Sequence, residues 1–260
     1  KLNPDELEQL DFSQYSIVQR FDDRTQPLPL RQIVSVGLSI PELMNAANAA
    51  GYVSFVPEMD GVIRWVPTLM QHGEYMFPPL SLQLVREAVK STLAVNIFEF
   101  GIDEMTLGES PIPVKENGDI LINYYGPAFT FEHISATDVL TGKVGHENLS
   151  GRIVLVGATA SGIHDIHTSP FGPLYPGVEI HANIMESILK NDFLMRPEWL
   201  SILDWLMIAV SGLLLGLVSQ KYKAYGAATF LVIGMLGYLA FDFYLFTQKG
   251  LWVNTVYPIF

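Results

Sequence analysis

Two uninterrupted apolar runs near the end of the chain limit most severely what it can fold into. Residues 199–219, WLSILDWLMIAVSGLLLGLVS, are 21 positions long. At about 1.5 Å per residue they cross a ~30 Å hydrocarbon core with Asp204 held near the headgroups. Gln220-Lys221-Tyr222-Lys223 interrupts, and residues 224–246, AYGAATFLVIGMLGYLAFDFYLF, supply a second span with Asp242 near its far end. So short a connection permits only a helical hairpin. From residue 251 the stretch LWVNTVYPIF is about half a span and reads as a truncated third. A lipid bilayer is thus the first expected partner, and residues 199–260 form a membrane module. By the positive-inside bias, Lys221 and Lys223 place the turn in the cytoplasm and residues 1–198 outside, against the single opposing Lys249.

Within the first span Gly212 and Gly216 stand four residues apart, a small-residue pair that lets another helix approach closely; Gly234 and Gly237 thin one side of the second. Glycine is also simply common in membrane helices. Asp204 and Asp242 should lie at similar depth on the outer side, and interfacial solvation explains them better than a functional pair.

Charge separates the rest of the chain from this module. Residues 1–198 carry 12 basic and 25 acidic side chains with no basic stripe, which argues against nucleic acid as a partner. The absence of cysteine excludes a disulfide scaffold, thiolate catalysis and Cys-ligated zinc. Lys1 is not an initiator Met and no signal-like segment follows it, so the chain reads as a fragment or processed product.

Local patterns predict an α/β fold with a mixed sheet. Residues 1–36 are polar and irregular, an extended edge rather than a packed start. Pro41 to Ala50 reads as a helix stopped at Gly51, and Tyr52 to Val56 as a strand. With the Asp60-Gly61 turn and the β-branched run to Pro67, this strand predicts a β-hairpin over 52–67. Residues 79–89 have helical apolar spacing, and 97–125 hold short strands punctuated by Gly108, Pro111, Pro113 and Asn117-Gly118-Asp119. Gly151-Arg152-Ile153-Val154-Leu155-Val156-Gly157 is the strongest buried-strand signal, an unbroken apolar run of the kind a parallel strand covered on both faces requires. The loop after it is where an open α/β sheet tends to bind ligands. Neither a phosphate-cradling Gly-Lys-Ser/Thr nor a Gly-x-Ser-x-Gly nucleophile elbow occurs there. A helix then opens at Pro176 and runs to about Leu189, with Val178, Ala182, Met185 and Leu189 on one face.

The chain resembles the CHASE2 family of extracellular sensory domains. The resemblance lies in Asp60 to Arg64 (DGVIR), Gly118 to Pro127 (GDILINYYGP), Ser135 to Leu140 (SATDVL), Gly151 to Asp165 (GRIVLVGATASGIHD), Thr168-Ser169-Pro170, Pro176 to Asn183 (PGVEIHAN) and Arg196-Pro197-Glu198-Trp199. These cover roughly residues 41–200 in the family's order. The resemblance implies an extracytoplasmic input domain followed by three membrane helices, in the bacterial cytoplasmic membrane. It also implies a cytoplasmic adenylate or guanylate cyclase, Ser/Thr kinase or histidine kinase, and a homodimer formed through membrane helices and sensor domain. The family's N-terminal anchor, first strand and helix have no counterpart here, and no catalytic domain is present.

Candidate sites gather around the last helix of the outer domain. His164, Asp165, His167, Glu179 and His181 include side chains of metal-ligating type, but no His-x-x-x-His pair occurs. The preferred reading is a structural clasp or small-ligand site of Thr159, Asp165, Thr168, Glu179, His181 and Asn183, with Asp165 capping a turn, Thr159 bonding backbone and His181 hydrogen-bonded to Glu179 or a carbonyl. No metal, cofactor or catalytic residue is assigned. Tyr124, Tyr125, Phe129 and Phe131 would stack on a ligand, yet strand aromatics are more often core. Asp60 and Arg64 read as a solvated surface pair. The leading expectation is a non-enzymatic input domain for an unknown extracytoplasmic ligand or protein, coupled through Trp199 to the membrane helices. The alternatives are a structural subunit that docks a partner without signalling, and a membrane-tethered hydrolase, which no Ser/His/Asp order supports.

Overall fold

Leu93, Val95 and Ile97 alternate with Ala94, Asn96 and Phe98, and the first three are fully buried, so this stretch forms a strand with one face in the core. The computed structural model describes residues 15–21, 28–73, 75–159, 165–197, 199–221 and 224–253. In chain order its elements begin with β1 (Ile17–Arg20), β2 (Arg31–Gln32), α1 (Pro41–Ala46), β3 (Trp65–Pro67), β4 (Met70–His72) and β5 (Tyr75–Phe77). There follow α2 (Leu80–Val89), β6 (Leu93–Phe98), β7 (Gly101–Leu107), β8 (Ser110–Pro111), β9 (Asp119–Leu121) and α3 (Ala136–Leu140). After a short 3-10 turn at His146–Asn148 come β10 (Ile166–Ser169), β11 (Gly172–Pro176), α4 (Gly177–Lys190), α5 (Trp199–Lys221) and α6 (Ala224–Lys249). The chain divides into two compact units, Lys1–Phe193 and Leu194–Phe260.

In the N-terminal unit the main sheet has the order β1-β6-β7-β8. β1 runs parallel to β6, from Ile17 beside Ala94 to Arg20 beside Ile97, whereas β6-β7 and β7-β8 are antiparallel. The second sheet, β2-β4-β5, mixes parallel and antiparallel pairing in the same way, so the expected mixed α/β architecture is present. Helices α2 and α4 pack against each other. Leu82 and Val85 from α2, and Ile180, Ile184 and Ile188 from α4, join β6 in one apolar core. β1 is an edge strand exposed along most of its length, but the expected unpacked start without a first strand does not hold, because β1 pairs with β6 and Tyr15, Leu28 and Leu30 are buried in the core.

Three local expectations are corrected. Helix α1 stops at Ala46 because residues 50–52 lie extended against the start of α2: Leu80 N–H donates to the Tyr52 carbonyl at 2.9 Å. A Cβ on Gly51 would come within 2.6 Å of the Leu80 nitrogen, so this glycine permits a close crossing instead of ending a helix. The hairpin over 52–67 does not form. Its turn does, with Gly61 at φ 82° and Val62 N–H bonded to Asp60 Oδ1, but β3 pairs antiparallel with β9. β9 is buried throughout and covers the buried Val66, whereas Val53, Val56 and Met59 face solvent and Pro57 has no N–H to give a ladder.

The third correction concerns residues 151–157, which are not a strand. Val154 is 51 % and Val156 90 % exposed. The parallel place beside β6 is occupied by β1, and two contacts draw the segment elsewhere. Leu155 packs on the core, and Gly157 passes so near Val178 at the start of α4 that a Cβ would lie 2.6 Å from the valine's own.

The C-terminal unit contains the two expected long helices, α5 and α6, packed on one another. Trp199–Gln220 and Tyr225–Lys249 are each long and apolar enough to cross a membrane. Met195 pairs with Leu251 across the ends of the helices: its N–H donates to the Gly250 carbonyl at 2.7 Å, and Trp252 N–H donates back to the Met195 carbonyl at 2.9 Å. Arg196 lies over the Trp252 ring, and Leu200, Asp204 and Val253 are buried. Most of the segment read as a third span, residues 254–260, lies outside the described residues, as do Tyr222 and Lys223.

Candidate functional site

Helix α4 starts where Pro176, at φ −64°, delivers the chain to Gly177, and Glu179 in the first turn complements the helix dipole. It ends where Asn191 turns left-handed at φ 52° and its N–H closes on the Ile188 carbonyl. Two stripes with a spacing of four run along it. Ile180, Ile184 and Ile188 enter the core, and beside them Glu179, Asn183 and Ser187 are equally buried. The expected apolar face of Val178, Ala182, Met185 and Leu189 is thus displaced around the helix; only Met185 is fully buried, and Leu189 is exposed.

A buried polar stripe needs partners, and the irregular segment 123–131 supplies them. Glu179 accepts from Phe129 N–H at 2.8 Å and Phe131 N–H at 3.4 Å. Asn183, with no exposed surface, accepts from Tyr125 N–H at 2.9 Å through Oδ1. Its Nδ2 donates to the Tyr175 hydroxyl at 2.8 Å and the Glu179 carbonyl at 2.6 Å. Past the helix end, Asp192 Oδ2 accepts from Tyr125 Oη at 3.1 Å and Asn123 Nδ2 at 3.2 Å. Burial, with the Asp192 carboxylate adding to it, pushes the Tyr125 hydroxyl up to about 12. The segment is therefore fastened to α4 at its start, middle and end. Phe129 sits at φ 68°, a conformation that costs a bulky residue energy and that the Glu179 contact helps to hold.

A second group meets the first turn of α4 from the other side. Asp165 accepts Gly177 N–H on its carbonyl at 3.0 Å, and its carboxylate lies 3.2 Å from His167 Nε2. A Cβ on Gly177 would strike that carboxylate, so alanine there would swing it away from His167. His181 is 4 % exposed, and its ring nitrogens have no more than a marginal contact with the Val53 backbone. Its ring packs on Phe55 at 4.7 Å between centroids, and Phe55 also meets His167 edge-on at 5.3 Å. Burial holds the His181 imidazolium down to about 4, despite Asp165 and the Val53 backbone favouring the charged ring; His167 adds to the depression.

The six residues of the expected clasp thus separate. Glu179 and Asn183 bind segment 123–131, whereas Asp165 pairs with His167 and His181 packs on Phe55, which meets His167 as well. Of the two partners expected for His181, Glu179 is not one, whereas the Val53 backbone lies at the margin of hydrogen-bond geometry with its ring. Thr168 contributes its backbone, accepting from Ile63 N–H at 2.9 Å. Thr159 is half-buried at the end of a described stretch, and residues 160–164, His164 included, lie outside the described residues. Among the described residues no three His, Asp or Glu side chains are arranged to hold a metal. Of the aromatics, Tyr124 packs on Tyr175 and bonds the Ile63 carbonyl, Tyr125 belongs to the clasp, and Phe129 is exposed. Arg64 bonds both Glu58 and Asp60 at the surface, a solvated pairing of small energetic weight. Ser187, Asp192 and Phe55 were not singled out from sequence, and Tyr125 only as an aromatic of the core or a stacking face. The polar residues at 179, 183 and 187 carried a readable signal for one of them, Ser187.

In the C-terminal unit Gly212 and Gly216 line an open groove of about 550 Å³ with Leu215, Ser219, Ala227, Ala228 and Leu231. A Cβ on either glycine would meet nothing within 4 Å, so close packing of α5 on α6 does not depend on them.

No curated protein and no solved structure matches the chain. The family model of the CHASE2 domain, an extracellular sensory domain, matches residues 6–218. That span takes in the clasp on α4 and most of α5, the first of two helices able to cross a membrane. With a sensory unit whose last helix is fastened by a buried polar stripe and a helix pair of membrane-spanning length after it, the chain belongs to the CHASE2 domain family and is part of a transmembrane sensor.

Proposed function

We propose that the chain is the extracytoplasmic input domain and membrane-spanning region of a bacterial signalling protein whose cytoplasmic effector is an adenylate or guanylate cyclase. The carrying observation is the fastening of α4 to segment 123–131 at three points. Only residues 191–198 separate that helix from α5 in the chain, so a change in how α4 is held has a short covalent route to the first span. The assembly is a homodimer in the bacterial cytoplasmic membrane. Gly212 and Gly216, which leave space that α6 does not fill, support helix contacts between copies. The proposed residues of the input site are Thr159, Asp165, Thr168, Glu179, His181 and Asn183.

The test is cyclic-nucleotide production by membranes carrying the full polypeptide. Glu179→Gln and Asn183→Ser should shift output several-fold without changing its amount in the membrane. A reading frame that ends soon after Phe260, or an output indifferent to both variants, would favour a structural subunit instead.

A further inference from the structure

Most buried histidines satisfy at least one ring nitrogen, because an imidazole that hydrogen-bonds nothing in a dry site has forfeited its interactions with water. His181 keeps only a marginal contact with the Val53 backbone, with one face against Phe55 and 4 % of its surface exposed. The site lies just under the surface: the Asp165 side chain is 45 % exposed and that of His167 25 %. Among the described residues the ionisable groups acting on His181 are Asp165 and His167. Loop 53–55 contributes only the Val53 backbone and the Phe55 ring. On its own helix Glu179 is already committed to the Phe129 and Phe131 amides.

We propose that His181 is an acid-operated latch: a proton taken up by its ring expels Phe55 and frees the first turn of α4 from loop 53–55 and from Asp165–His167. A charged imidazolium buried there has one carboxylate within reach, and His167 already shares it. With that carboxylate shared, the charge on His181 is not fully compensated, and an uncompensated buried charge is relieved by letting in water. The ring that blocks water is Phe55, which contacts both imidazoles.

The sign follows from the two states. In the closed state burial disfavours the proton, so His181 charges only near pH 4, whereas an opened ring charges near the ordinary ~6.5. Closure is therefore undiminished above about pH 6.5 and is lost progressively as pH falls from there towards 4. At pH 5 the opening equilibrium should have risen roughly 30-fold over its value at pH 7.5. The physiological role of the latch rests on the sensor reading above, but the latch itself does not.

Hydrogen exchange on the whole chain in lipid nanodiscs tests it, with rates corrected for intrinsic pH dependence. Amides of residues 53–56 and 178–182 should open about 30-fold more at pH 5 than at pH 7.5, while core amides of β6 stay protected. His181→Phe, which keeps a ring against Phe55, and His181→Gln, which keeps polarity, should each abolish the rise; His167→Gln should retain it. A wild-type chain without the rise, or one whose rise survives both His181 substitutions, overturns the proposal. No effector is needed, so a failure here is distinct from a failure of the signalling reading.

Discussion

At the scale of single residues, Glu179 and His181 lie two positions apart on α4 and are both almost fully buried, but their situations are opposite. Glu179 has two backbone donors, and an ionised carboxylate suits them because each oxygen accepts one N–H. Glutamine has one acceptor oxygen and would turn its amide hydrogens towards the second donor. Glu179→Gln should therefore lower stability by about 1–3 kcal/mol, measured by urea unfolding at neutral pH. It should also let Phe129 relax from its left-handed conformation, which exchange at residues 129–131 would report. His181 gives up only a marginal contact with the Val53 backbone when it is replaced, so His181→Phe at pH 7.5 should cost less than Glu179→Gln, and its signature belongs to the acid limb.

At the scale of elements, α4 joins two kinds of helix face, an isoleucine stripe that enters the core and a carboxylate-amide-hydroxyl stripe that satisfies a loop. The second gives the 123–131 segment its path, since that segment has no strand partner to take its N–H groups. Helix α5 differs in kind: its glycines face open space, and the groove they line has no occupant among the described residues. Gly212→Leu with Gly216→Leu should leave the hairpin folded and weaken self-association in detergent by about 1 kcal/mol or more, read from the monomer-dimer equilibrium in sedimentation. Unchanged association would make the groove a lipid-facing surface and remove the helix route to a dimer.

At the scale of the whole molecule, the proposed orientation, with residues 1–198 outside, rests on the lysines between the spans. The chain has no cysteine, so introduced thiols report unambiguously. Glu109→Cys, on an exposed turn of the N-terminal unit, should react with an impermeant maleimide in intact spheroplasts, and Lys223→Cys only after lysis. Labelling of both before lysis, or of Lys223→Cys alone, would reverse or abolish the proposed topology.

The elements legible in the sequence are those whose signal is local. Helices α2, α4, α5 and α6 announce themselves because helical hydrogen bonds close within four residues and the apolar period is written along the segment itself. The turns at Asp60-Gly61 and Asn117-Gly118 were readable for the same reason. A strand carries no such guarantee, since its hydrogen bonds belong to a partner that the sequence does not name. The apolar run 151–157 has a strand's composition, yet β1 occupies the place beside β6 and Gly157 is drawn onto Val178. Likewise β3 found β9 more than fifty residues away instead of its neighbour across the turn. The polar residues of α4 were visible as types and spacings. Which of them bonds the loop, and which is left buried with only a marginal backbone contact, was decided only when segments 53–55, 123–131 and 165–167 were brought around one helix.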